Sequence, residues 1–537
     1  MNYIALAKAT APEIWMTVLA LGVLLLDAVK LREWDIPRRV KWLGTITALG
    51  LVIALWLMLR QFGKLGANAE LLFADSQGVL VISGLALVMK FLVVLLTIGT
   101  VILSIGYDSS RHVGEYFCLL IFTAIGMNFV ITTENLLMFF VALELLSICL
   151  YILTGLHKGL VRSAEGAMKY FMFGALSSAF LLFGLSYLAG LTGSVRLDVM
   201  GEVVRNTMAT GSGPASSWLL VIGMLFVIVG LGFKIAVVPF HLWAPDAYEG
   251  APTPVAAFIA TGSKVASFFI AGKILLTGLQ GVAGEALINL RETTRGIMAL
   301  ATGDYTHLAS GIQFSGGWMV ILAVVASASM IWGNVAAIQQ RNVKRLLAYS
   351  SIAHAGYILI GVIAANQMGS TAVLFYLVIY SLTNLGAFGV VAALTRAAGG
   401  DDLEDLNGMS QRAPFLSFWM LIFILSLAGI PPLAGFFGKF YLFAAAVQAD
   451  PHNLGLLWLV VIAIVTSAIS LYYYLILLKH IYVLPPRISD RVESPAHWRW
   501  TIFVLGMAVI GFGVCPQGLA EFLDMLSQSG GWVFAQR

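Results

Sequence analysis

Long apolar runs of about 20 residues recur along the whole chain, and no other feature restricts its fold so strongly. Their approximate limits are 12–29, 42–59, 79–105, 115–132, 134–155, 169–190, 217–241, 253–278, 314–338, 345–365, 370–394, 414–447, 454–478 and 498–516. In hydrocarbon every backbone N–H and C=O needs a partner within the protein, so runs of this length can only be helices. A membrane β-barrel would alternate over segments of about ten residues, and these runs are continuous. Only 11% of the 537 residues are charged and mean hydropathy is +0.91. That is too little charge to cover a water-soluble surface of this size. The expectation is an all-α polytopic membrane protein of about fourteen transmembrane helices. The first run reads as a retained anchor, not a cleaved leader. The net charge of +4 contains no basic tract, so no nucleic acid partner is expected. Cys118, Cys149 and Cys515 are widely separated, with no C-x-x-C pair, and read as packing residues.

Basic residues orient the spans. Seventeen lie after odd-numbered spans, among them Arg38, Arg39, Arg111, Lys158, Arg162, Lys344, Arg345, Arg487 and Arg491. Eight lie on the other side, among them Lys64, Arg291, Arg295 and Arg537. The positive-inside rule places odd-numbered exits in the cytoplasm and both termini outside. The polar stretches 191–216 and 279–313 then read as outer loops too short to fold alone. A repeat is suggested by pairs about 206 residues apart: Tyr170 with Tyr376, Leu176 with Leu382, Ser177 with Thr383, and Lys234 with Lys439 at 205. Spans 4–8 and 9–13 would be related units. Five spans is an odd number, so the two units must be inverted in the membrane. The expected organisation is a three-helix segment over 1–110, first and second repeats over 111–278 and 279–481, and a helix and tail over 482–537.

The six remaining basic residues, Lys90, Lys169, Lys234, Lys264, Lys273 and Lys439, fall inside apolar spans. Charge there is expensive and marks ion paths by default. Glu144 is read as the mid-membrane carboxylate, with Ser147, Tyr151 and Thr154 continuing its polar stripe at helical spacing. Lys264 is flanked by Thr261 and Ser267. Ser350, His354 and Tyr357 share a face of span 10, with Lys344 at its start. Lys234 precedes Pro239 by five residues, and Pro431 and Pro432 precede Lys439, so spans 7 and 12 should be broken helices. Lys273 is expected to snorkel to the interface, and for Lys90 snorkelling and a deeper role are evenly balanced. Lys169 either snorkels or pairs with Glu144. One carboxylate cannot neutralise these lysines, so some must be neutral part of the time, as proton carriers are. A relay through amines, imidazole and water fits better than a sodium site, which wants several oxygen ligands. His241 could join it. No dinucleotide or Walker motif is present, so the energy must come from an ion gradient or from partner subunits.

The segments "KIAVVPFHLWAPDAYEGAPTPVAAFIATGSKVASF", "LLAYSSIAHAGYILIG" and "SLAGIPPLAGFFGKFYLF" resemble the N-type antiporter-like membrane subunit of bacterial proton-pumping NADH:quinone oxidoreductase, respiratory complex I. The M-type paralogue has glutamate where this chain has Lys439, and the L-type adds a long lateral helix. By the resemblance, Glu144, Lys169, Lys234, Lys264 and Lys439 match the family's helix-5, -6, -7, -8 and -12 charges, and His354 is the softer match. The resemblance implies two inverted five-helix units and a proton relay through Glu144, Lys169, Lys234, Lys264, His354 and Lys439. It also implies no cofactor in this chain, FMN, iron–sulfur clusters and quinone in partner subunits, and neighbouring antiporter-like subunits of the membrane arm in a bacterial inner (cytoplasmic) membrane. The alternative is a subunit of a multi-subunit cation/proton antiporter, which shares the fold. A pure membrane scaffold is a third class.

Overall fold

Asparagine, glycine and proline set where the helices begin, stop and break. The computed structural model describes residues 3–65, 71–74, 79–107, 112–210, 218–283, 285–288, 312–315, 317–449, 455–486 and 494–529. Arg111, Arg291, Arg295, Arg487, Arg491 and Arg537, and the middle of the 279–313 loop, lie outside the described residues. Among the described residues, thirteen helices are long and apolar enough to cross a membrane. A fourteenth crossing is split into Pro414–Ala428 and Ala434–Gln448. Span 7 is split as well, into Trp218–Ile235 and the short helix Ala244–Gly250. Both expected breaks are therefore present. At the second, Gly429 adopts φ +85°, open to glycine at no steric cost, and a methyl group on Gly435 would collide with the Ser426 carbonyl.

Two short hairpins add the only strands among the described residues, Leu71–Ala74 with Val81–Ser83 and Glu285–Ile288 with Ile312–Ser315. The 191–216 stretch is more ordered than a plain loop, because Leu197–Thr210 is an amphipathic helix. A further helix, Pro516–Ser529, follows the last span and is tied to the start of span 11 by Gln367 and Thr371 bonding to Asp524.

The inverted repeat is written into the local hydrogen bonding. Asn135 caps Leu136–Thr154 by accepting from the Leu137 and Met138 amides, and Asn342 caps Val343–Ala364 by accepting from Lys344 and Arg345. Asn135 forms an isolated bridge with Arg196, and Asn342 forms one with Asp402. Leu136 N–H donates to Val195 while Leu197 donates to Glu134. Val343 donates to Asp401 while Leu403 donates to Arg341. These motifs are offset by 206–207 residues and stand at the exits of spans 4 and 9, which alternation puts on opposite faces.

One expected equivalence fails. Lys234 lies in the last turn before its break, whereas Lys439 lies in the half-helix after its break. The connection before span 7 is about ten residues longer than the one before span 12, so the 206-residue offset shrinks there. Pro239 corresponds to Pro432, both within the breaks. Lys234 then corresponds to the stretch 427–430, and Lys439 to Asp246, each seven residues past its proline.

Spans 8, 10 and 11 are the most enclosed. Thr253–Gly278, Val343–Ala364 and Gln367–Arg396 are buried along almost their whole length. Outward faces carry Val141, Ile148, Phe171, Val324, Trp332 and Val465, all exposed. Such a belt fits lipid or neighbouring subunits.

Candidate functional site

Lys234, Lys264, His354 and Lys439 are all buried in the helix bundle. Lys234 Nζ donates to Ser147 Oγ at 2.6 Å and lies 5.9 Å from the Tyr151 ring centroid. Glu144, on the same stripe, accepts from Ser178 Oγ at 2.5 Å. The expected Glu144–Lys234 pair is therefore not closed in this structure. Ser147 holds the ammonium, and the two charges interact only through space. Tyr151 packs against Tyr170, which stacks on Trp243 with 4.1 Å between centroids. Gly174 makes room for the Tyr151 hydroxyl, which a Cβ there would displace.

Lys264 extends toward the second unit. Its Nζ donates to the Ser351 carbonyl at 2.5 Å and lies 5.8 Å from the Tyr380 ring. It follows a π-helical turn, Ile259–Ser263, and a second, Ile274–Gly278, ends the same span. Such turns shift helix register and concentrate at functional sites. The Ser351 hydroxyl is 3.3 Å from that of Tyr248.

His354 is the centre of a hydroxyl cluster. Its Nδ1 is 2.5 Å from Tyr376 OH and its Nε2 is 3.1 Å from Tyr474 OH. Tyr474 is bonded in turn to Ser350 Oγ at 2.5 Å. A neutral imidazole with a hydroxyl on each nitrogen donates on one side and accepts on the other, as proton transfer requires. His354 is within electrostatic reach of both Lys264 and Lys439. Lys439 donates to Ser467 Oγ at 2.8 Å and to the Ala428 carbonyl, freed by the helix break, at 3.0 Å. It also lies 5.1 Å from the Tyr357 ring. Tyr357 accepts from Asn334 and donates to Thr466. Tyr151 and Tyr357 are 206 residues apart, so the two break lysines reach equivalent tyrosines from opposite sides of their breaks.

Lys169 is not brought to Glu144. Its ammonium is 2.6 Å from both Glu165 and Asp246, in the first third of the helix Val161–Thr192, with the side chain 39% exposed. Lys273 does not snorkel as expected: its ammonium is buried, paired with Glu134 at 3.2 Å and directed at the Ile131 carbonyl, because the protein itself supplies the partners there. Lys90 does not snorkel. It is buried and pairs with Glu13 at 2.7 Å, so Glu13 is a buried carboxylate of the first span that reading Glu144 alone had passed over. His241 is buried in the first break, apart from the His354 cluster, with its ring 6.5 Å from that of Trp332. Lys344 anchors the short helix by donating to the Glu249 and Ala251 carbonyls. Sequence reasoning missed Tyr376, Tyr474, Asn334 and Ser467 as partners, although Tyr376 already stood in a repeat pair. Among the described residues no group of three or more His, Cys, Asp or Glu is placed to hold a metal ion.

The family described as "NADH:quinone oxidoreductase/Mrp antiporter, TM" matches residues 133–303 and 293–470. NADH-quinone oxidoreductase subunit N 2 of Acidobacterium capsulatum is 42% identical over 532 residues, covering 97% of this chain and 99% of that protein. The chain belongs to this family. NADH-quinone oxidoreductase subunit N of Desulforamulus reducens is 36% identical over 91% of this chain and 92% of its own length. A chain of respiratory complex I from Thermus thermophilus, solved with bound aureothin, superposes with a TM-score of 0.73 at 31% identity, covering 96% of this chain and 99% of that one. A chain of the Mrp complex from Dietzia sp. shares the fold at TM-score 0.77, with 19% identity and coverage of 99% and 98%.

Proposed function

We propose that this chain is a proton-translocating membrane subunit of a bacterial proton-pumping NADH:quinone oxidoreductase. Protons move through Glu144, Lys169, Lys234, Lys264, His354 and Lys439, driven by electron transfer in partner subunits that carry FMN, iron–sulfur clusters and quinone. The neighbours are other membrane-arm subunits, including antiporter-like ones, and lipid. The organisation is a 1–110 segment, repeats over 111–278 and 279–481, and a 482–537 tail. The membrane is the bacterial inner (cytoplasmic) membrane, with both termini on the outer side, as the charge bias favours.

The observation that carries this reading is the set of buried amines whose partners among the described residues are hydroxyls and carbonyls. Lys234, Lys264 and Lys439 each rest on serine oxygen or main chain, not on a carboxylate. A static structural lysine at this depth would need a counter-ion. A neutral amine keeps N–H donors for such partners, so either protonation state is accommodated. The test is NADH-driven proton uptake in membrane vesicles bearing the assembled complex. Lys234→Ala and Lys264→Ala should each lose proton uptake while the complex remains assembled. Normal uptake in both variants refutes the relay. Uptake that follows imposed sodium gradients instead of NADH oxidation would mark the antiporter alternative.

A further inference from the structure

Asp246 was not singled out by the sequence, yet it sits where the charged ends of three helices meet, Val161–Thr192, Ala244–Gly250 and Val343–Ala364. It lies on Ala244–Gly250, the half-helix immediately after the first break. Its Oδ2 is 2.6 Å from Lys169 Nζ of the first unit, and its Oδ1 bonds Arg345 of the second unit. The other charged groups around it are Glu165, which shares Lys169; Glu249, which takes Arg345 at 3.0 Å; Arg162, 3.3 Å from Glu249; and Lys344, held by Asp401 and the Glu249 carbonyl. The position is built and not incidental. Gly166 lets the long helix of the first unit pass so close that a Cβ there would stand 2.5 Å from the Asp246 carbonyl oxygen. Counting from the break proline, Asp246 also occupies the place that Lys439 holds in the second unit.

We infer that Asp246 is a positioning residue for proton transfer: it holds the Lys169 ammonium at the cytoplasmic end of the first unit, away from Glu144, and ties that arrangement to the second unit through Arg345. This rests on the proposed relay, in which Lys169 takes part. While Asp246 carries its charge, Lys169 has two carboxylates and no reason to turn inward. When Arg345 draws Asp246 away, Lys169 keeps only the exposed Glu165, and the inward position beside Glu144 becomes competitive. A movement of the second unit at Arg345 is thereby reported to the first unit's carboxylate. The whole coupling needs one shared anion, because a carboxylate offers an oxygen to each cation.

The experiment uses the intact complex in membranes with four variants: Asp246→Asn, Asp246→Glu, Lys169→Gln, and Asp246→Asn combined with Lys169→Gln. Assembly, NADH-driven proton uptake and its pH profile are measured on each. Asp246→Asn should lower uptake per assembled complex about fivefold, the scale of coupling between contacting charges. It should also shift the pH profile, and Asp246→Glu should restore most of the loss. In the Lys169→Gln background, Asp246→Asn should add nothing, because its target is gone. Losses that multiply in the double variant overturn the inference, as does an Asp246→Asn loss explained wholly by reduced assembly. If Asp246→Asn does not assemble, Arg345→Gln cuts only the link to the second unit. A shifted pH profile is then expected, and an unshifted one overturns the inference. Failure of the wider relay is read separately, from normal uptake in Lys234→Ala and Lys264→Ala.

Discussion

Replacing Lys439 with methionine separates a proton carrier from a strut, because the structure bounds what the strut is worth. The ammonium makes two hydrogen bonds, to Ser467 Oγ and the Ala428 carbonyl, and rests against Tyr357. Polar contacts between membrane helices are worth about 0.6–2 kcal/mol each. A buried carbonyl left without a donor costs about 1–3 kcal/mol. Methionine fills most of the volume, so no large cavity opens. The expected destabilisation is therefore about 1–4 kcal/mol, enough to lower thermal resistance and too little to prevent folding of a fourteen-span bundle. A carrier loses far more than that in function. Methionine binds no proton, so the route between the His354 cluster and the far side of the second unit is cut. The expected result is an assembled complex with NADH-driven proton uptake depressed severalfold and its pH optimum moved. Assembly is quantified on native gels and uptake with a pH dye in inverted vesicles from the same preparation. Poor assembly with normal uptake in the surviving fraction would refute the carrier role and leave Lys439 as a strut for the freed Ala428 carbonyl.

Four further outcomes are expected. Glu144→Gln keeps the Ser178 hydrogen bond and removes the charge that Lys234 senses, so coupled turnover should fall while assembly persists, as measured by uptake per assembled complex. Lys264→Arg retains charge that cannot be released, so it should be nearly as damaging as Lys264→Ala; full activity of the arginine variant would make Lys264 an electrostatic post. Glu13→Gln strands buried Lys90 and should cost about 3–5 kcal/mol, read as reduced assembly, whereas Glu13→Gln with Lys90→Met should recover it without altering proton uptake. Burial pushes the Asp246 carboxyl up, but Lys169 and Arg345 outweigh this and hold it below the usual carboxylate range. The clamp should therefore be fully stabilising above the ordinary carboxylate pKa and fade as pH falls through the lowered one, with its partial exposure screening the effect; thermal denaturation of wild type and Asp246→Asn should converge in acid.

What could be read in the chain, and what could not, follows from how each feature is encoded. The spans were legible because hydrocarbon imposes one local rule on every residue, and among the described residues the thirteen helices long and apolar enough to cross lie where hydropathy put them, as do the two halves of span 12, with spans 7 and 12 broken at their prolines. Glu144, Lys234, Lys264, His354 and Lys439 were legible for the same reason, since a charge or imidazole stands out against an apolar run. Their partners were not. Lys264 meets Ser351 across 87 positions and His354 meets Tyr474 across 120, and no helical period encodes either pairing. Glu13 was hidden by its place one residue beyond the start of the first run, where a carboxylate reads as interfacial until Lys90 is found against it. The Lys234–Lys439 spacing misled for a more instructive reason. The repeat holds at 206–207 residues for Asn135 and Asn342, Tyr151 and Tyr357, and Tyr170 and Tyr376, and then slips where one connecting loop is longer. Chemistry was matched across the slip, but backbone position was not. Once the break prolines are aligned, the second unit's Lys439 is equivalent in position to the first unit's Asp246. The two units thus carry opposite charges at one place in the fold, as expected if one carries a proton there and the other holds a neighbouring amine in position.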